Sequence, residues 1–506
     1  MRLTGWPRIA TPAAWAAGGV LFVVLATANG AGYRYGVSDQ AFYIPAVERI
    51  LSPDAFPRDA ALIDAQARLI LTDETLAAAA RGTGLPLDVL FFLAYLLAIA
   101  LVWTAALLIG RRMYGSPWLV AALAAALTLR HQIPRTSVNS LEPYFHPRIL
   151  AFGLGALAVA ALLHRRAWPA IALVGVSALV HVTTALWFAI LIGVALMWLD
   201  SRWRRAGGIA MAMAALAGAA LMVIGPAREA LRPMDERWLT AVAGKDSLFA
   251  SQWPAWAWAA NLAMLPLVWA AHRRRAAAGL ARPEETALAC GAAALVAIFV
   301  VTLPASAARL ALPVQFQISR VFWIVELLAV VYLLGAVRGR RLAMGLAALL
   351  VAVSAGRGAY VMLVERPERA LFAVRLDASP WHDAMAWVRR QPLDTHVLAD
   401  PGHAWKYGTS VRVSAGRDVF LEDVKDSAIA IYSRDVAVRY LERASAIGDF
   451  GALTPGRARD LAAAYDIDYL VSEAEIDLPV AYRNDRFRVY ALAGGSGARE
   501  PHRGTE

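Results

Sequence analysis

Of the 506 residues, 59% are hydrophobic and 18% charged, with a mean hydropathy of +0.49. That is too apolar for a soluble enzyme of this length, and the excess lies in the first 365 residues. The net charge of +11 would suggest nucleic acid in a soluble chain, but no contiguous basic face with interleaved aromatics occurs, so nucleic-acid binding is set aside. The single cysteine, Cys290, lies in an apolar run, which excludes a disulfide framework and a thiolate metal site.

A membrane span needs about 20 apolar residues. Runs near 12–30, 86–110, 117–130, 148–163, 168–181, 182–199, 207–225, 255–271, 285–303, 318–337 and 342–363 predict a polytopic α-helical membrane protein of about eleven spans. Met1, Arg2 and Arg8 before the run Ala13–Ala28 have the look of a signal peptide, but the many later spans favour an uncleaved first helix. Arginine clusters stand at Arg111–Arg112, Arg165–Arg166, Arg204–Arg205, Arg273–Arg274–Arg275 and Arg340–Arg341, at every second gap. Basic residues are retained on the cytoplasmic side, so the N-terminus is expected inside and the C-terminus outside. The run 168–199 is read as two short helices turning near His181. One long helix would carry Arg202, Arg204 and Arg205 to the wrong side.

Three outside segments follow, 31–85, 131–147 and 226–254. The first is expected to hold two amphipathic helices, about 39–52 and 58–82, and the third to place Trp238 and Trp253 as interfacial anchors. Beyond Pro367 the composition becomes that of a soluble domain, and 366–493 is expected to form an extracytoplasmic α/β unit. "THVLADP", "VRVSAG", "RDVFLED" and "DYLVSEA" read as strands, 381–391 and 433–446 as helices, and "YRNDRFRVYAL" as a final hairpin. The Gly- and charge-rich tail 494–506 reads as disordered.

The chemistry is concentrated outside. Asp39, just beyond the first span, has the placement of a general base for a hydroxyl, or of a helix N-cap; the two roles are compatible. The second outside segment gathers Arg130, His131, Arg135, Glu142, Tyr144, His146 and Arg148 within nineteen residues. Arginine offers a planar fork suited to phosphate, and Glu and His suit a metal or sugar hydroxyls. His181 and Arg320 are polar groups within apolar runs, costly at membrane depth and therefore functional candidates; a core histidine and a snorkelling arginine are the plainer readings. Glu326, deeper on the Arg320 helix, suits pairing with a cation one or two turns away. No Walker glycine loop, HExxH or G-x-S-x-G triad pattern occurs.

On "SDQAFYIPAVERIL", "EPYFHPRILAF", "HVTTALWF", the late Arg320 and the stretch from "WHDAMAWVRRQP" to "NDRFRVYAL", the chain resembles the GT-C superfamily of integral-membrane glycosyltransferases, and in particular uncharacterised bacterial members. The resemblance implies a bacterial inner-membrane enzyme moving a sugar from a polyprenyl-phosphate-linked donor to a glycan, lipid or protein acceptor outside the cytoplasm. It implies Asp39 as the base, with Glu142, Tyr144, His146, Arg148, His181 and Arg320 around the substrate. Many members carry two adjacent acids at the first site, whereas Asp39 is followed by Gln40. Metal-binding members (Mg or Mn) use a second acidic motif, for which Glu142 is the substitute here. The competing readings are a non-catalytic transporter or assembly component of a surface-polysaccharide system, and a polysaccharide polymerase or ligase. A transporter would string its polar residues along a midplane path; these cluster at one surface.

Overall fold

The computed structural model describes residues 12–67, 70–224, 231–245 and 247–492. The segment 1–11 and the tail expected to be disordered lie outside the described residues. Each of the eleven apolar runs contains a helix: α1 (Pro12–Asn29), then, after the short strand β1 (Tyr33–Arg34) and helices α2 (Gln40–Leu51), α3 (Ala60–Ala67) and α4 (Thr72–Thr83), α5 (Leu87–Met113) and α6 (Pro117–Thr128). The hairpin β2 (Gln132–Ile133) and β3 (Val138–Asn139) leads into α7 (Pro147–Leu163), α8 (Ala167–Val180), α9 (Val182–Leu199) and α10 (Ser201–Ile224). Short α11 (Glu236–Val242) precedes α12 (Ala255–Ala277), α13 (Pro283–Ala307), α14 (Ala311–Gln315), α15 (Val321–Gly335) and α16 (Arg340–Tyr360).

Six of these stretches are long and apolar enough to cross a membrane: α1, α5, α9, α13, the run Ala311–Gly335 and the run Arg340–Glu365; α6, α7 and α8 are shorter apolar helices. Val20, Leu21, Leu97, Val301 and Leu349 on these helices point outward and are more than half exposed. Such a belt is stable against lipid chains rather than water. Small residues let the helices approach: a Cβ on Gly155 would lie 2.1 Å from the Phe188 ring, and one on Gly291 2.7 Å from the Leu191 carbonyl oxygen. The chain turns at His181, whose extended backbone (φ −157°, ψ 100°) ends α8 and starts α9.

One arginine of the clusters has a structural role. Arg275 is buried against fully buried Glu285, with Nε donating to Oε2 at 2.8 Å and Nη2 to Oε1 at 2.9 Å. Its Nη1 and Nη2 also reach the carbonyls of Gly335 (2.5 Å) and Met113 (3.2 Å), which ties α5, α12, α13 and α15 together at one end.

The polar segments between the apolar helices depart from expectation in two places. The helix expected over 58–82 is two, α3 and α4, because the start of α4 is tied to the α8–α9 turn: Leu71 N–H donates to the Leu179 carbonyl and the Thr72 hydroxyl to that of Val180. Trp238 and Trp253 are buried rather than interfacial. Trp238 Nε1 donates to the Ala430 carbonyl at 2.6 Å, and Trp253 packs among Trp258, Phe299 and Phe322. Glu326 finds no partner on its own helix and instead meets His131 Nε2 at 2.5 Å.

The C-terminal unit begins at β4 (Phe372–Ala373), which pairs in parallel with β1, Tyr33 opposite Phe372. Then come α17 (Pro380–Arg389), β5 (His396–Ala399), α18 (His403–Lys406), α19 (Val411–Ala415), β6 (Asp418–Val419), α20 (Asp423–Ile429), α21 (Arg434–Ile447), α22 (Pro455–Tyr465), β7 (Tyr469–Ser472), β8 (Val480–Arg483) and β9 (Arg488–Ala491). The sheet order is β6-β5-β7-β9-β8, with β6, β5 and β7 parallel and β9 antiparallel to both neighbours. "VRVSAG", expected as a strand, is helix α19: the Ser410 hydroxyl accepts from Val413 N–H at its start, and Gly416 closes it with left-handed φ +62°. This unit is fastened to the segment before α3 by a buried ion network. Arg412, fully buried, donates to Asp59 at 2.7 Å and to Asp426 at 2.8 Å, and Asp59 also takes Arg439.

Candidate functional site

A cavity of about 330 Å³ lies where the segments carrying Asp39, residues 132–146 and Lys245, the ends of α7, α9 and α15, and helix α20 of the C-terminal unit converge. Asp39, His146, Arg148, His181 and Arg320 line it. Tyr144 stands beside Asp39, and Glu142 stands behind Arg148.

Asp39 precedes α2 but does not cap it. Its φ and ψ are already helical (−70°, −9°), and its side chain makes no capping bond. The carboxylate instead faces the cavity, where Oδ1 meets Lys425 Nζ at 2.7 Å and Oδ2 meets His146 Nε2 at 3.2 Å and the Tyr144 hydroxyl at 3.3 Å. Ser38 is held at left-handed φ +53°, a strain of the kind found at functional sites. Gln40 is fully buried: its Oε1 accepts from Gly36 N–H (2.7 Å) and its Nε2 donates to the Phe145 carbonyl (3.2 Å). A second acid at this position would set a buried carboxylate against a carbonyl oxygen, which accounts for the amide.

The two histidines follow one local logic. Each precedes an apolar helix and accepts a backbone hydrogen bond through Nδ1, His146 from Arg148 N–H (3.0 Å) and His181 from Thr184 N–H (3.3 Å). A neutral ring that accepts at Nδ1 carries its proton on Nε2. His146 is therefore a donor to Asp39, and burial pushes its pKa down to about 4. Burial would raise the Asp39 carboxyl, but Lys425 and His146 outweigh it and hold the group well below the usual carboxylate range.

The cations differ in how far they are satisfied. Arg148 Nη2 donates to Glu142 at 2.9 Å, and Asn139 Nδ2 reaches both Glu142 oxygens at 3.1 and 3.2 Å. Burial raises the Glu142 carboxyl, and Arg148 and Arg130 pull it back only in part. Arg148 Nε is buried without a partner, and so is Arg320 Nε. No ion pair or side-chain hydrogen bond is formed by Arg320 among the described residues. It is presented by a single 3-10 turn, Ile318–Arg320, that follows Gln317 at left-handed φ +48°. Two guanidinium groups that line one cavity and are not fully paired by the protein are suited to a phosphate.

Lys425 and Lys245, missed in the sequence, also line the cavity. The chain has three lysines among its 50 basic residues, and the signal was there: two of three face one cavity. Phe42, Tyr43, Trp405 and Tyr432 supply aromatic wall.

The residues present do not fit a divalent metal at Asp39. Its two oxygens already meet an ammonium and an imidazole N–H, and Glu142 is held by Arg148 and Asn139. Among the described residues no three His, Cys, Asp or Glu side chains are grouped to hold a metal ion.

No protein-family model and no curated protein matches the chain. Among solved structures it is similar to the crystal structure of the Archaeoglobus fulgidus oligosaccharyltransferase in the apo form, over 91% of this chain and 69% of that one, at 11% identity and a TM-score of 0.37.

Proposed function

We propose that the chain is a GT-C-type membrane glycosyltransferase that moves a sugar from a polyprenyl-phosphate donor to an acceptor outside the cytoplasm. The observation that carries the reading is the pair of arginines lining one cavity, each with a buried Nε that has no partner, beside an ionised carboxylate at the ends of apolar helices. A lipid donor would lie in the bilayer, with its phosphate against Arg148 and Arg320.

In such a transfer the bond between the sugar C1 and the phosphate oxygen breaks, and its electron pair stays on the phosphate. The leaving group needs positive charge rather than a proton, which is electrostatic catalysis by fixed donors. The acceptor hydroxyl bonds to C1 and sheds its proton. Asp39 is a weak base in its ion pair, so it would take that proton late, once the forming bond has acidified the hydroxyl. His146 fixes one Asp39 oxygen and leaves the other to its cation.

Membranes containing the chain, given radiolabelled polyprenyl-phosphate-linked sugars, test this. Asp39→Asn keeps the shape and removes the charge, and it is expected to remain folded with transfer reduced 100-fold or more. Normal transfer by that variant would refute the reading. The inside N-terminus and outside C-terminal unit belong to the same proposal. Reporter fusions after Gly339 and after Pro380 should report opposite sides, and both reporting cytoplasm would defeat the eleven-span topology.

A further inference from the structure

We propose that Lys425, carried by α20 of the C-terminal unit, is the built-in cation of the transfer site, contacting a donor phosphate oxygen where a metal ion would otherwise be needed. This rests on the glycosyl-transfer reading and names a residue that the reading does not require. The starting point is the misfit described above: the carboxylates that would have to hold a divalent cation are already satisfied by Lys425, His146, Arg148 and Asn139.

The Lys425 side chain is buried and lines the cavity. Its ammonium has three protons. Asp39 Oδ1 at 2.7 Å and Ser38 Oγ at 3.2 Å meet two, and the Phe42 ring lies 5.5 Å away as an apolar backing. One N–H is therefore left for a ligand in the cavity.

The placement is enforced from outside the site. The next residue, Asp426, receives the fully buried Arg412 through two hydrogen bonds (2.8 and 3.2 Å), and Arg412 is itself locked to Asp59, just before α3. A helix anchored in this way presents Lys425 with little freedom, and pre-organised charge is what stabilises a leaving group. The choice of residue fits as well. Where this chain needs a general cation it uses arginine, and the compact ammonium is kept for three positions.

The step balances without a metal. As the C1–O bond breaks, the phosphodiester monoanion becomes a phosphomonoester dianion, and Lys425 turns its free N–H toward the added charge. Asp39, thereby less tightly paired, takes the proton from the acceptor hydroxyl.

The test is ³¹P NMR titration of farnesyl phosphate into the full chain in nanodiscs, with EDTA and, separately, with Mg²⁺. The expected result is wild-type affinity equal within twofold in the two conditions, at least tenfold weaker binding by Lys425→Met, and Lys425→Arg within threefold of wild type. Asp39→Asn, which frees the ammonium, should bind severalfold more tightly although it does not transfer sugar. Loss of wild-type binding in EDTA, unchanged affinity in Lys425→Met, or weaker binding by Asp39→Asn overturns the proposal while leaving the lipid-phosphate reading intact. A wild type that binds no farnesyl phosphate in either condition removes that reading and this proposal together.

Discussion

Two arginines at different places in the helix bundle, Arg275 buried and Arg320 half-buried, make opposite use of the same side chain. Arg275 sits among α5, α12, α13 and α15 with every guanidinium nitrogen bonded, two of them to Glu285. Arg320 sits at the start of α15 with a buried Nε that has no partner, near Arg148, which has the same vacancy. Burying a charge without its counter-charge costs several kcal/mol, so a chain that does so gains something other than stability. Arg275 joins helices; the unpaired Nε groups of Arg148 and Arg320 at a cavity support the proposal that these two hold an anion.

That contrast can be broken by stability measurements. Arg275→Met leaves Glu285 fully buried and unpaired and is expected to cost about 3–5 kcal/mol, read as a large fall in the melting midpoint in detergent. Arg320→Met removes an unpaired charge and is expected to leave the midpoint unchanged or raised. If the two variants lose equal stability, the distinction between the sites fails. Arg148→Met lies between, at about 1–3 kcal/mol, because Asn139 stays with Glu142. Trp238→Phe removes one buried hydrogen bond to Ala430 and should cost about 1 kcal/mol, a smaller shift in the same assay.

The Asp39–Lys425 pair adds a pH dependence to the stability of the site. The folded carboxyl is depressed, so its contribution is present above the ordinary carboxyl pKa of about 4 and is lost as the pH falls below it. The midpoint difference between wild type and Lys425→Met should therefore be constant from about pH 5 to 8 and shrink in more acid solution. A difference that fades near neutral pH would mean that Asp39 is protonated there.

Much of the helical layout was legible because each span is a local apolar run, and the turn at His181 followed from keeping Arg202, Arg204 and Arg205 on one side. "VRVSAG" misled because its alternation is only four residues long, and its capping serine and closing glycine decided the matter locally. The membrane-side half of the site, Asp39, the 131–148 segment, His181 and Arg320, could be marked residue by residue, since polar groups stand out at the ends of apolar runs. The other half could not. Lys425 lies 386 positions from Asp39 on a helix whose pattern records nothing about what it faces. The rarity of lysine was the available clue, and it reads equally well as coding bias. The buried tie from Arg412 to Asp59 was hidden for the same reason, as pairing across such a distance leaves no periodic trace.

Native mass spectrometry of the full chain with a polyprenyl phosphate reads out whether Arg148 and Arg320 hold a lipid phosphate. Wild type should retain the lipid through detergent activation, Arg320→Met should bind it at least tenfold more weakly, and Arg320→Lys should fall between, because the ammonium keeps the charge and loses the fork. Equal retention by wild type and Arg320→Met would contradict the account and return Arg320 to the role of an anchor at the membrane surface.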